Sequence, residues 1–223
     1  MLLDKDLAVI ADGVVEGRRT LANTLKYVTV TASSNLGNVL TVVAAGAFLP
    51  MLPTQLLVQN LLYDAAPLAL PWDRVDDSYV RAPRRWRPEG LVRFMLTFGA
   101  VSSIFDLATF AVLWYVFGLG HAPSTFQAGW FIEGTVSQLL IVLVLRTPQA
   151  PWRQPRPGTV PLRATAIAGT LAMLIPFSPI GAKLGFGRPP AGFWLLLVAV
   201  TAGYAVTAEL VKRWYTRRAV AWL

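Results

Sequence analysis

The sequence predicts an all-α protein: a polytopic membrane bundle of six transmembrane helices, preceded by a short cytoplasmic N-terminal stalk. Three observations carry this expectation. Hydrophobic residues make up 55% of the chain and charged residues only 14%, whereas a soluble domain carries about 25% charge. The apolar residues lie in long blocks with a mean hydropathy of +0.51. The basic residues fall in the gaps between the blocks and alternate between the two sides in a strongly unequal way.

Each block has a length of the order that a helix needs to cross a hydrocarbon core of roughly 30 Å, about 20 residues. The predicted spans cover residues 28–49, 53–71, 92–118, 125–146, 161–180 and 191–212. The first two are joined by Leu49-Pro50-Met51-Leu52-Pro53, a tight hairpin, because proline suits a turn or a first helical position. The third is long enough to tilt or to run past the interface. The fifth is the weakest, since Pro176 and Pro179 interrupt its end. Trp72, Trp86, Trp152 and Trp214 stand at the predicted interfaces, as belt aromatics do.

All Lys and Arg residues except Lys183 and Arg188 fall on one side of this arrangement. They precede the first span, fill the second connection from Arg74 to Arg93, surround the fourth connection from Arg146 to Arg163, and follow the last span from Lys212 to Arg218. The positive-inside rule makes that side cytoplasmic, with both termini on it. A formal charge of +8 and a pI of about 10.3 first suggest nucleic acid. The distribution assigns the charge to topology and to anionic lipid headgroups instead, so membrane lipids are expected partners and nucleic acid is not. The absence of cysteine excludes disulfides and thiolate metal sites. A lone histidine, His121, argues against a multi-histidine zinc site or a Ser-His-Asp triad, and is expected exposed in a short external turn.

Two polar clusters interrupt the apolar helices. Ser33-Ser34-Asn35-Leu36-Gly37-Asn38 lies in the first span and Gln59-Asn60-Leu61-Leu62-Tyr63-Asp64 in the second. An aspartate at membrane depth costs about 2.5–3.5 kcal/mol on insertion scales and marks a functional site by default. Asn35 and Asn38 share a helical face, as do Asn60 and Asp64. The hairpin makes the two helices antiparallel neighbours, so the clusters are expected to face each other. Gly37 allows close approach, and Pro67 frees a backbone carbonyl near Tyr63. This oxygen-only donor set suits Mg²⁺ or Ca²⁺ rather than a soft metal. The expected metal-binding residues are Asn35, Asn38, Asn60 and Asp64. The competing reading is that the amides are interhelical glue, worth about 0.6 kcal/mol per bond.

Tyr63, Asp106, Glu133 and Gln138 form a secondary polar set in apolar context. Asp106 and Glu133 belong to adjacent spans; they are either a second ion site, an exit path or a proton route, or a buried pair that fixes packing. Glu209 is expected to be a solvated ion-pair partner of Lys212 and Arg213. No phosphate-cradling glycine loop of the GxxxxGK[ST] type occurs, so no catalytic residue and no nucleotide site is expected within the chain itself.

Several in-order motifs resemble those of P-type ATPases. Leu2-Leu3-Asp4-Lys5-Asp6-Leu7 and Gly13-Val14-Val15-Glu16-Gly17-Arg18 are similar to the end of the phosphorylation domain, and Asn23-Thr24-Leu25-Lys26-Tyr27 to the stalk entering the fifth membrane helix. The two polar clusters look like the cation-site motifs of the fifth and sixth helices. Leu70-Pro71-Trp72-Asp73, Ser102-Ser103-Ile104-Phe105-Asp106 and Phe126-Gln127-Ala128-Gly129-Trp130-Phe131-Ile132-Glu133 point to the bacterial magnesium-translocating branch. Asn38 stands where calcium pumps have a glutamate.

The resemblance implies that residues 1–27 are the tail of a phosphorylation domain plus stalk, and residues 28–223 a C-terminal cation-transporting transmembrane domain. It implies a C-terminal piece of a pump that moves Mg²⁺ with ATP hydrolysis. The transported ion and the remainder of the pump would be its partners, and ATP would act only through domains that precede this chain. The expected location is the plasma (inner) membrane. Two other readings stay open: a P-type pump for Ca²⁺ or H⁺, and a stand-alone membrane protein without catalysis.

Overall fold

The computed structural model describes residues 7–45, 51–75, 80–81, 88–150 and 153–218. The Leu2-to-Asp6 run, Leu49 and Pro50 of the hairpin, Arg84, Arg85, Arg87, Trp86 and Trp152 lie outside the described residues. Among the described residues there is no strand. The helices are α1 (Leu7–Ala45), α2 (Pro53–Leu68), α3 (Pro88–Ala111), α4 (Pro123–Leu145), α5 (Thr159–Leu174), the short α6 (Pro179–Lys183) and α7 (Phe193–Arg218).

Helices occupy the six expected stretches in the expected order. Five helices are long and apolar enough to cross a membrane by length and composition: α1, α3 with its continuation to Val116, α4, α5 with its continuation to Phe177, and α7. The second, α2, has 16 residues and so extends about 24 Å; a 3₁₀ turn over Leu70–Trp72 prolongs it. Pro53 opens α2 at a position where a missing N–H costs nothing, and Pro67 lies in its last turn. A single π turn over Val112–Val116 continues α3. The 3₁₀ turn Ile175–Phe177 ends the fifth span at the predicted prolines. The expected stalk and the expected first span fall in one continuous helix of 39 residues.

At the centre is α4, which touches α1, α2, α3, α5 and α7. It is apolar on every side and buries residues on every side, from Phe126 to Leu145, as a helix enclosed by others must. The most extensive helix pair is α1 with α3, and small residues permit it. A Cβ on Gly37 would stand 3.1 Å from Ser102 Cβ and 3.2 Å from the Gly99 carbonyl, and a Cβ on Gly99 would stand 3.1 Å from the Ser33 carbonyl. Dispersion over such close backbones holds membrane helices together, because lipid supplies no hydrophobic drive for helix pairing. The Ser103 hydroxyl, 3.0 Å from the Gly37 carbonyl, adds a bond across the same contact. Phe94 and Phe98 of α3 meet Tyr215 of α7 with centroids 5.8 Å apart in both cases. Gln55 pins α2: its amide donates to Gln127 Oε1 at 3.2 Å and to the Leu184 carbonyl at 2.9 Å.

Gly37→Leu is expected to wedge α1 from α3 and to cost about 1–3 kcal/mol. Gly13→Leu, with nothing within 4 Å of the added Cβ, is the control. Thermal unfolding in detergent should show a clearly lower midpoint for the first variant alone; equal midpoints would contradict the close α1–α3 contact.

Candidate functional site

The predicted metal-binding residues divide by exposure. Asn35, Asn60 and Asp64 are exposed, and Asn38 is half-buried. In α1 the residues Ser33, Ser34 and Gly37 are buried, and Gly37 packs on α3. At 100° per residue, Asn35 therefore points away from α3. In α2 the buried residues Gln59, Tyr63, Ala66 and Pro67 face the bundle, and the Asn60–Asp64 face is turned outward. Asn38 accepts a hydrogen bond from Gln138 of α4. Among the described residues no hydrogen bond joins Asn35 or Asn38 to Asn60 or Asp64; contact between the clusters runs instead through Tyr63, close to Ser34 and Thr31.

A second polar group lies inside the bundle. Asp106 of α3 is buried, and its Oδ2 accepts from the Thr41 hydroxyl of α1 at 3.0 Å. That hydroxyl also lies 2.9 Å from the Gly37 carbonyl. Glu133 of α4 has no exposed surface; the Ser137 and Thr109 hydroxyls lie close to its carboxyl group, but neither oxygen forms a hydrogen bond of ordinary geometry. The Thr109 and Tyr63 hydroxyls and Gln138 Oε1 are likewise buried without a partner. Asp106 and Glu133 thus lie on adjacent helices, as expected, but the bond Asp106 makes is to Thr41 rather than to Glu133. Groups of three or more His, Cys, Asp or Glu residues able to hold a metal do not occur among the described residues.

A buried ionic cluster centred on Asp73 does not announce itself in the sequence. Asp73, at the end of the 3₁₀ turn after α2, has no exposed side-chain surface. Its carboxylate receives Arg146 Nη1 at 3.1 Å on both oxygens, Lys26 Nζ at 3.1 Å and the Gly158 amide at 3.0 Å. Lys26 also donates to the Arg74 carbonyl at 2.9 Å, and Asn23 donates to the carbonyls of Pro71 and Asp73 at 2.9 and 3.2 Å. Burial by itself raises the Asp73 carboxyl, but Lys26, the Gly158 amide and Arg146 together hold it below the usual carboxylate value. One carboxylate thereby joins the stalk portion of α1, the end of α2, the end of α4 and the start of α5. Sequence reading had Lys26 and Arg146 as topology charges and Asp73 as part of a motif; only their shared burial reveals the cluster.

Glu209 corrects a further expectation. It pairs with Lys212 at 2.7 Å and Arg213 at 3.1 Å, yet the group is largely buried rather than solvated, with the Lys212 side chain fully covered. Lys212 is drawn inward because the carbonyls of Val144 and Gln149 accept its protons at 3.0 and 3.1 Å. His121 is exposed, as expected.

The family model described as "Cation transporting ATPase, C-terminus" matches residues 48–214. The chain is 45% identical to a magnesium-transporting ATPase, P-type 1, of Salmonella typhimurium over 227 residues, which cover 100% of this chain and 25% of that protein. It is 47% identical to the protein of the same name from Escherichia coli over 224 residues, 98% of this chain and 25% of that one. A calcium-transporting ATPase of Bacillus subtilis is 24% identical over 214 residues, 91% of this chain and 24% of its own. The chain therefore spans about a quarter of the length of these relatives.

Asp73→Asn is expected to leave Lys26 and Arg146 buried without a counter-charge and to cost about 3–5 kcal/mol. Because the folded carboxyl sits below its unfolded value of about 3.9, its contribution is fully present above about pH 4 and is lost as pH falls through the depressed folded value. Melting curves of wild type and Asp73→Asn should therefore differ most at neutral pH and converge in acid. A constant difference down to acid pH would contradict the ionic account.

Proposed function

Because the chain belongs to the cation-transporting ATPase family, we propose that it is the C-terminal membrane domain of a P-type pump that carries Mg²⁺ across the plasma membrane with ATP hydrolysis. Its termini lie on the cytoplasmic side. The observation that carries this reading is the exposure of Asn35, Asn60 and Asp64 on otherwise apolar helices. A carboxylate and two carboxamides facing lipid would be costly. Facing a further helix of the same pump, they become one wall of a cation path. In the family resemblance that helix is the fourth, and it would complete the site.

The chemistry of the donors fits the cargo. Asp64 supplies a carboxylate oxygen, and Asn35, Asn38 and Asn60 supply neutral amide oxygens. Mg²⁺ is a hard ion that sheds water reluctantly, so a single protein carboxylate with amides and retained waters is a suitable partner. The Gln138 bond orients Asn38, an indirect contribution of the kind that tunes metal affinity. Release requires that the wall move. The continuous α1 helix, 39 residues long, carries displacement of the Glu16–Tyr27 stalk directly to Asn35 and Asn38. Phosphorylation of a domain preceding this chain would supply that displacement.

Glu133, buried with both oxygens unpartnered, favours a secondary role on the same path for the set Tyr63, Asp106, Glu133 and Gln138.

Asp64→Asn in an intact pump carrying this chain is expected to abolish Mg²⁺ uptake and Mg²⁺-stimulated ATPase, and Asn60→Ala to weaken apparent affinity about 10–100-fold. Phosphorylation by ATP in the absence of transport should survive. Normal uptake by the Asp64 variant would overturn the site. Stimulation by Ca²⁺ but not by Mg²⁺ in the wild type would replace the cargo while keeping the family.

A further inference from the structure

We propose that Gln59 of α2 and Gly134 of α4 are positioning residues for the cation site. The Gln59 side chain, seated in the notch that Gly134 leaves, fixes the rotation of α2 and so holds Asn60 and Asp64 on its outward face. The inference rests on the cation site proposed above and adds to it two residues on the opposite side of the helix.

Helix α2 carries polar residues on two faces. Gln55, Gln59 and Tyr63 recur at every fourth position and are buried, with 0%, 4% and 1% exposure. Asn60 and Asp64 each follow one of them by a single position, a rotation of about 100°, and both are exposed. Apolar packing does not choose between the faces, because lipid is as apolar as the interior of the bundle. Polar bonds and steric fit do. In the first turn Gln55 donates to Gln127 Oε1 at 3.2 Å and to the Leu184 carbonyl at 2.9 Å. One turn on, Gln59 meets Gly134. A further turn on, Tyr63 lies close to Ser34 and Thr31 of α1. The middle contact immediately precedes Asn60, so a shift there reaches the site first.

Only glycine leaves this notch. A Cβ on Gly134 would stand 2.8 Å from Gln59 Nε2, and Gln59 is the one side chain among the described residues that would lie within 4 Å of it. Helix α4 does not yield, since it is enclosed by its neighbours and the residues flanking Gly134, Glu133 and Thr135, have no exposed surface. The amide is the flexible end of its side chain, but Gln59 is nearly enclosed and finds no open solvent to swing into. An added methyl is therefore met by movement of α2. The Gln55 bonds hold the N-terminal end of that helix, so the displacement falls on the part that carries Asn60 and Asp64. Groups that only orient metal ligands change affinity by about 10–100-fold when altered.

The test measures Mg²⁺ uptake by an intact pump carrying this chain and separates KM for Mg²⁺ from kcat. Gly134→Ala should raise KM several-fold with kcat little changed. Combining it with Gln59→Asn, one methylene shorter, should return KM toward the wild-type value. Gln59→Met, of similar shape, should keep the wild-type KM. Gly169→Ala, whose added Cβ meets Leu139 Cδ1 at 3.7 Å, is the control and should change nothing. A KM for Gly134→Ala equal to that of the control, or no recovery in the double variant, would overturn the inference. A KM raised as much by Gln59→Met as by Gly134→Ala would show that the amide acts through its polarity, and would overturn positioning by fit. Should Gly134→Ala fail to fold, Gln59→Ala, which empties the notch, should itself raise KM; an unchanged KM there would overturn the inference. Normal uptake by Asp64→Asn would remove the cation site itself, whereas lost uptake in Asp64→Asn beside a wild-type KM in Gly134→Ala would reject the positioning alone.

Discussion

Polar groups within a bilayer must find partners inside the protein, and this requirement organises the whole chain. Several of its intramembrane polar residues meet it internally. Thr41 reaches Asp106, Gln138 reaches Asn38, Gln55 reaches Gln127, and Ser103 reaches the Gly37 backbone. Asn35, Asn60 and Asp64 do not; they stand exposed on α1 and α2. These exposed residues are the ones the proposed cation site uses. Glu133 is the interior counterpart, a carboxyl group fully enclosed by α4 and its neighbours with both oxygens unpartnered.

Asp73 ties the N-terminal half of α1 to the rest of the bundle. Without that carboxylate, Lys26 of α1 and Arg146 at the end of α4 would be buried as like charges close together, a destabilising arrangement in a partly dry environment. With it, the stalk side of α1 is bound to the ends of α2 and α4 and to the start of α5. Farther along, Gly37 and Gly99 press α1 onto α3. Helix α1 is thus joined to the bundle at two levels, one near Lys26 and one at Gly37.

The helices and their order were legible in the sequence because each is an apolar block bounded by charge or proline, and the bundle places them near those bounds. The continuity of stalk and first span was less visible, since Tyr27 marks a change of composition and not of backbone. Orientation around each helix axis was the harder question. Helix α4 is apolar on all sides, so no stripe announced that Glu133 and Gln138 would be central. Spacing correctly put Asn60 and Asp64 on one face, but it carried no information on which way that face turns. The Asp73 cluster was illegible for a different reason. Its members are separated by 47 residues on one side and 73 on the other, and a lysine or arginine beside a membrane span reads as topology until its burial is known.

The most direct measurement places a single cysteine at position 60, in a chain with no cysteine of its own, within an intact pump otherwise depleted of reactive thiols. If the exposed face of α2 borders a water-filled cation path, a charged, water-soluble thiol reagent will modify the cysteine and Mg²⁺ will slow the reaction. Modification only by a lipid-soluble reagent, at a rate indifferent to Mg²⁺, would show that this face meets lipid and would contradict the account.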